Sequence, residues 1–418
     1  MISIITILFI VGYLLIIIEH KIKIDKAVIA ILTGVILWTL ISITPEFYSI
    51  DHPLNLTHVL GDISAILFFL LGAMTIVELV DLHQGFKIIS NWIKAKNKIT
   101  LLVLICLLTF FLSAILDNLT TTIVMISIIR KIIHDQEDRF WFVSMIVIAA
   151  NSGGAWSPIG DVTTTMLWID NKVSSMHLIN HLFLPSLLSI LIPLIIISYK
   201  KRFKNQTIEI ENRNIKLPAS ATFYLFLGIG LLIMVPVFKT LTHLPPYMGM
   251  MGALAIIWFI SEIEHPLLYP PTSESPKPSV RYALSRIEIP SILFFFGILL
   301  AISALEQVGQ LKQLGLLLEN NTPNSSVVAF ALGLLSAVID NVPMVAGAMG
   351  MYNYPMDDLF WHELAFAAGT GGSILIIGSA AGVTAMGMEK ISYPWYFKNI
   401  SILALLGYLA GWIYIYFL

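Results

Sequence analysis

The sequence predicts an all-α polytopic membrane protein made of two inverted five-span repeats, each with a re-entrant hairpin and a broken helix. Three observations predict it. The 418 residues are 57% hydrophobic and only 12% charged, and apolar runs of 18 or more residues recur along the whole chain, the pattern of membrane-crossing helices. Motifs of the first half return in the same order in the second. In each half, one overlong apolar segment carries its polar residues at its centre, where a plain span avoids them.

Ten full spans read as 2–18, 25–43, 60–82, 140–170, 177–199, 219–238, 246–263, 287–308, 360–388 and 395–416. The first has neither a basic start nor a small-residue cleavage site, so it is expected to be a retained helix. Segments 99–133 and 323–352 are too long for one span of about 20 residues and short for two. A hairpin that enters and leaves on the same side explains both. The basic, amphipathic stretch 84–98 is expected along the inner surface. The stretch 264–286, with Pro266, Pro270, Pro271, Pro276 and Pro278, reads as a cytoplasmic linker. With both termini outside, all but three of the 24 Lys and Arg (Lys172, Lys239 and Lys312) fall on the inner side, as the positive-inside rule asks. Counting either hairpin as a single span inverts everything after it and spoils that bias.

The net charge of −2 argues against nucleic acid as a partner, and the single cysteine, Cys106, leaves no disulfide framework. No cofactor is expected. SAILDN (113–118) recurs as SAVIDN (336–341), AANSGGAWSPIG (149–160) as AAGTGGSILIIG (367–378), and ILFF occurs at 66–69 and 292–295. The repeats divide the chain into 1–218 and 219–418. Five spans per half is an odd number, so the second half starts on the opposite face, the arrangement of secondary transporters.

Irregular backbone at membrane depth survives only when buried in protein or lining a wet cavity. The hairpin tips are expected at Leu116–Thr121 and Ile339–Pro343, and the helix breaks at Ser152–Pro158 and Thr370–Ser373. Gly153, Gly154, Gly371 and Gly372 are expected to permit the unwinding, with Pro158 enforcing it in the first half. The tips offer Asp117, Asn118, Thr120, Thr121 and Thr122 on one side and Asp340 and Asn341 on the other. Carboxylate, amide, hydroxyl and carbonyl oxygens together suit a hard cation such as Na⁺. A carboxylate held out of water is neutralised either by a proton or by a cation. One group that takes either but not both is the minimal chemistry of cation/proton exchange. Asp161, after Gly160, has Ser379 as its repeat equivalent, so it breaks the symmetry and is the first candidate for proton coupling, with Thr163, Thr164 and Thr165 beside it.

SAILDNLTT, ANSGGAWSPIGDVTTTMLW, SAVIDNVPM and GTGGSILIIGSA together resemble the NhaD-type sodium/proton antiporters of the ion transporter superfamily, over about residues 60–390. The resemblance implies two hairpins, two broken helices, a homodimer with scaffold and transport parts, elevator-like alternating access, and a plasma (inner) membrane location. In the dicarboxylate branch a serine five residues before the hairpin asparagine helps bind sodium; Ser113/Asn118 and Ser336/Asn341 keep that spacing. That branch has Ser-Asn-Thr at its tips. The acids here suit a cation instead. The expected ion and proton site is Ser113, Asp117, Asn118, Thr121, Ser152, Gly154, Asp161, Thr164, Ser336, Asp340, Asn341, Thr370, Gly372 and Ser373, with sodium at Asp117, Asn118, Asp340 and Asn341. Exchange of cytoplasmic Na⁺, with Li⁺ as a second candidate, for H⁺ is the leading function.

Other readings compete. An oxyanion or dicarboxylate carrier needs cationic or neutral donors in the core, where the sequence places three acids and no Lys or Arg. An intramembrane aspartyl protease wants Gly-x-Gly-Asp, and the run here is Ser-Pro-Ile-Gly-Asp. Asp117 and Asp340 could serve as helix caps, and Asp62 as a cap at the start of its span. Glu78, Asp81 and Glu306 read as interfacial, with Glu78 the candidate for a proton path. His362–Glu363 lacks the second histidine of a zinc motif. His177, His181 and His243 are expected near the outer surface, and Trp412, Tyr414 and Tyr416 in an interfacial belt.

Overall fold

A computed structural model describes residues 2–44, 55–93, 95–204, 206–208, 219–268, 279–322 and 324–418. The regular elements of the described residues are helices, apart from an isolated bridge between Asn97 and Thr207. The helices are α1 (Ile2–Ile17), α2 (Glu19–Ile22), α3 (Lys26–Ile43), α4 (Leu56–Leu82), α5 (Lys87–Trp92), α6 (Lys98–Leu116), α7 (Asn118–Ile132), α8 (Gln136–Ala155), α9 (Val162–Ile169), α10 (Ser175–Ser198), α11 (Ala219–Thr242), α12 (Pro246–Leu268), α13 (Val280–Arg286), α14 (Ile289–Gln307), α15 (Gln310–Asn321), α16 (Ser325–Leu335), α17 (Asn341–Met351), α18 (Leu359–Gly371), α19 (Ala380–Glu389), α20 (Tyr393–Asn399) and α21 (Ser401–Tyr416). Of the predicted linker, 269–278 lies outside the described residues, and its end is α13.

Among the described residues, seven helices are individually long and apolar enough to cross a membrane: α3, α4, α6, α10, α11, α12 and α14. The pair α20–α21, bent by 53°, makes an eighth. Six of the seven coincide with predicted spans. The seventh, α6, is the first arm of predicted hairpin 99–133 and has the length of a span by itself. The predicted spans 2–18, 140–170 and 360–388 do not pass as single helices. The first is a 16-residue helix, and the other two are each split, at 156–161 and at 372–379.

Asp, Asn and Ser side chains set many of these boundaries by accepting from the free N–H groups of a first turn. Asn97 caps α6 and Asn324 caps α16; Asp117 caps α7 and Asp340 caps α17; Asp135 caps α8 and Asp358 caps α18; Asp161 caps α9 and Ser379 caps α19. The cap order is the same in both halves. Asp62 is not a cap. It lies inside α4, where His58 pairs with it at 2.9 Å.

The glycines have a different role from the one expected. Gly153, Gly154 and Gly371 stay helical, and the breaks begin just after them. A Cβ on Gly153 would collide with the Phe110 carbonyl oxygen, and one on Gly371 with that of Gly333. These glycines let α8 lie against α6, and α18 against α16. Beside these crossings, Ser113 Oγ donates to the Ala150 carbonyl at 2.6 Å and Ser336 Oγ to that of Ala368 at 2.9 Å. Gly153→Ala and Gly371→Ala are expected to lose about 1–3 kcal/mol to overpacking and to lower the yield of monodisperse protein in fluorescence size-exclusion. Gly230→Ala, where a Cβ meets nothing within 4 Å, should leave the yield unchanged or raise it.

The apolar core has two parts. One joins α6, α7, α8, α10, α18 and α21; the other joins α1, α3, α14 and the first half of α4. At one end of the molecule, charges gather the start of α6, the end of α7, the start of α8, the end of α19 and the turn after α10. Lys98 pairs with Asp138 at 2.6 Å, Arg202 holds Asp135, Glu137 and Asp138, and Arg130 and Arg139 share the buried Glu389. The Asp138 N–H, seconded by the Arg202 guanidinium, holds the Asp135 carboxyl below the usual carboxylate range. Elsewhere, Tyr354 on the loop after α17 donates to Glu319 near the end of α15 at 2.7 Å, and the Asp357 N–H donates to the Lys172 carbonyl at 2.8 Å.

Candidate functional site

The turn between α6 and α7 and the turn between α16 and α17 both meet the first helix break at Asp161. Asp161 is 2% exposed. One of its carboxylate oxygens, Oδ2, accepts from Asn118 Nδ2 at 3.0 Å and from Asn341 Nδ2 at 3.4 Å. Its other oxygen, Oδ1, accepts from the Thr163 N–H at 3.1 Å, as the cap of α9. Both repeated Asp-Asn motifs therefore send their amide to Asp161, the one of the three cavity acids whose counterpart 218 residues on is not an acid but Ser379. Among the described residues, no Lys or Arg pairs with it.

Asp117 and Asp340 stand on the wall of the same hollow, a cavity of about 80 Å³ also lined by Asn118, Asp161, Asn341 and Lys26. That volume admits a small ion with a few waters. Asp117 accepts from the Thr120 N–H and from Thr120 Oγ1, each at 2.8 Å. Its backbone has φ +82° and ψ 158°, a region that side-chain-bearing residues rarely enter and that costs of order 1–3 kcal/mol. The first tip is thus a strained turn held by its own cap. Asp340, at φ −52°, is unstrained, accepts from the Val342 N–H at 3.2 Å, and has Lys26 Nζ 3.6 Å away. The capping reading of both acids describes real bonds, yet each carboxylate also faces the cavity.

The other predicted residues divide. Thr121 Oγ1 is buried without a hydrogen-bond partner in the protein, as is Thr122 Oγ1. Ser373 Oγ joins the cluster through Asn151. Ser113 and Ser336 brace neighbouring helices. Thr164 Oγ1 donates to the Asp161 carbonyl at 2.9 Å, closing the break, and Thr370 Oγ1 to the Phe366 carbonyl at 2.6 Å within its own helix. Ser152 faces away, accepting from Ser189 on α10 at 2.7 Å. Gly154 packs on Gly160 and Gly372 on Gly378.

Three residues of this site escaped the sequence reading. Asn151 accepts from Asn118 Nδ2 at 3.1 Å and donates to Ser373 Oγ and Ser379 Oγ, both at 2.9 Å. It ties the first tip to the second break. Its repeat equivalent is Gly369, so the asymmetry that marks Asp161 also marks Asn151, and that was the available signal. Ser379, noted only as a substitute for an acid, is its partner. Lys26 is the third, and it overturns the expectation of a core without Lys or Arg. The charge bias puts it on the inner side at the start of span 25–43, where nothing local distinguishes a reaching lysine from a solvated one. Asn151→Ala strands buried donors and acceptors, at a cost of about 1–3 kcal/mol. It should weaken sodium dependence by about tenfold with membrane protein levels intact; wild-type kinetics would reduce Asn151 to packing.

A second hollow, of about 380 Å³, shares Met74, Val77, Leu119 and Thr120 with the first and is lined by Glu78, Asp81, Lys87, Lys131, Arg286 and Glu288. Glu78 there pairs with Arg286 at 2.9 Å. On another part of the surface, His362 is buried with the His181 ring 5.0 Å away. Among the described residues no group of three or more His, Cys, Asp or Glu could hold a metal.

Residues 13–371 match the citrate transporter family. Over 97% of its length the chain is 47% identical to sodium/proton antiporter 1 of Arabidopsis thaliana, covering 70% of that protein, and 43% identical to sodium/proton antiporter 2 of the same plant, covering 96%. It is 31% identical to the Na(+)/H(+) antiporter NhaD of Alkalimonas amylolytica, with 97% of this chain and 88% of the relative aligned. Identity that runs nearly end to end, from a plant pair to a bacterial NhaD, makes this chain a member of the NhaD family of sodium/proton antiporters in the ion transporter superfamily.

Proposed function

We propose that the chain exchanges Na⁺ for H⁺ across a membrane by alternating access, with the cavity at Asp161 as the shared site. The single observation that carries this is the convergence of Asn118 and Asn341 on one Asp161 oxygen, in a hollow that Asp117 and Asp340 also face. With both amide nitrogens committed to Asp161, the amide oxygens remain for a cation, beside the Asp117 and Asp340 carboxylates. Sodium loads when the acids are ionised. A proton on Asp161 removes the charge that holds it, so each ion expels the other.

The repeated caps, serine braces and glycine crossings support an inverted duplication of 1–218 and 219–418. The ion pairs that bring the start of α6 and the end of α7 to one end of the molecule support a re-entrant first hairpin; Tyr354–Glu319 supports the second, since it joins the flanks of α16 and α17. The larger hollow, lined by residues the charge bias puts on the inner side, supports entry of cytoplasmic sodium past Glu78 to Asp117. The family is one of transporters, so the protease reading falls away. The family name favours a carboxylate anion as a second reading, but three acids on one small cavity repel it. In everted vesicles energised to a pH gradient, Na⁺ should collapse the gradient, Li⁺ should be tried beside it, and K⁺ and citrate should not. Collapse by citrate alone would reverse the assignment.

A further inference from the structure

We infer that the Lys26 ammonium is a built-in rival of sodium at Asp340. The inference rests on the reading of Asp340 as a sodium ligand. Lys26 opens α3, capped by Asp25, whose carboxylate accepts from the Ala27 N–H at 2.8 Å. α3 crosses α14 closely through Gly34 and Gly297, since a Cβ on Gly34 would meet the Gly297 carbonyl oxygen at 2.9 Å, and Trp38 Nε1 donates to the Leu300 carbonyl at 2.9 Å. This crossing sets Lys26 above the face of Phe294, with Nζ 4.4 Å from the ring centroid, and 3.6 Å from Asp340 Oδ2. Asp340 lies at the turn between α16 and α17.

A separation of 3.6 Å is long for a charge-assisted hydrogen bond. The pair is therefore held mainly by charge, and its side chains keep 31% and 23% of their exposure. An ammonium is a compact cation on a flexible stem. It can neutralise Asp340 while no sodium is bound and shift off it when sodium arrives, with the Phe294 ring, already 4.4 Å from Nζ, as its remaining partner. Asp117 has no such cation among the described residues; its oxygens are held by Thr120. Of the two tip acids, one is thus reserved by Thr120 and the other is covered by a movable charge. Because Lys26 starts α3 and Asp340 precedes α17, the pair also ties those two elements together until the substrate replaces it.

The test is the sodium concentration that gives half-maximal dequenching in everted vesicles, measured for Lys26→Gln, Lys26→Arg, Asp340→Asn and the double variant Lys26→Gln/Asp340→Asn. Removing the rival charge should lower the half-saturating sodium about three- to fivefold, the upper part of the range for a partly exposed ion pair. Lys26→Arg, which keeps the charge, should restore the wild-type value. In the Asp340→Asn background, Lys26→Gln should change nothing further. An unchanged or raised value in Lys26→Gln, or the same drop without Asp340, overturns the inference. If Asp340→Asn leaves half-saturation at the wild-type value, the sodium-ligand reading of Asp340 fails and this inference with it. A raised value in Asp340→Asn with no drop in Lys26→Gln removes only the inference. Lys26→Met serves the same purpose if the Gln variant does not accumulate in the membrane.

Discussion

Asp161→Asn is expected to abolish sodium-driven proton movement at every pH while the protein still inserts and folds. The substitution suits the question because it spares the scaffold. Asn caps a helix about as well as Asp, so α9 keeps its start at the Thr163 N–H. A neutral amide is also easier to bury than a carboxylate. What disappears is the charge on which Asn118 and Asn341 converge, and with it a group able to carry a proton. In the wild type, proton and sodium compete, so half-saturating sodium should fall as pH rises and then level off once the coupling acid is ionised. Asp161→Glu should keep a fraction of activity with a displaced pH optimum. Acridine-orange dequenching from about pH 6.5 to 9.5, with protein level checked by blot, reads all of this. Wild-type-like exchange by the Asn variant would remove Asp161 from the mechanism and leave Asp117 and Asp340 as the coupling groups.

The second large effect separates the two tips. Asp117→Asn should abolish exchange, whereas Asp340→Asn should leave activity with half-saturating sodium raised about tenfold, one ligand contact of ~1.4 kcal/mol. Both variants keep the helix cap. Asn also tolerates positive φ better than most residues, so the strained turn at Asp117 survives the change. Asp117 lies beside the larger hollow, through Thr120 and Leu119, which line both cavities, and among the described residues no Lys or Arg pairs with it. Asp340 shares its charge with Lys26. Equal, mild effects of the two changes would contradict a site centred on carboxylates.

Much of this was legible because the physics of a bilayer leaves few options. An Asp-Asn pair in an apolar segment has to be paid for, and its two copies, SAILDN and SAVIDN, fall at the turns between α6 and α7 and between α16 and α17. The Gly-Gly pairs located the two interrupted helices to within a few residues. They misled on the cause: a glycine needed for helix crossing at Phe110 or Gly333 looks, in sequence, like a glycine needed for unwinding. Side-chain direction was the other blind spot. Ser152 and Thr164 sit in the right motifs and turn to α10 and to backbone carbonyls. Asn151, Ser379 and Lys26 reach the cluster from positions whose local pattern says nothing about reach. The span count suffered where helices are broken, because length is what the apolar pattern measures.

The central claim, that sodium and a proton exchange at Asp161, is tested most directly by calorimetry of sodium binding to purified protein in two buffers of different ionisation enthalpy. The difference in heat between buffers counts the protons released per sodium bound. Below the pH at which sodium affinity levels off, the wild type should release protons on binding, and Asp161→Asn should release fewer or none. Equal proton release by the two proteins, or sodium binding to the wild type with no release at any pH in that range, would contradict it.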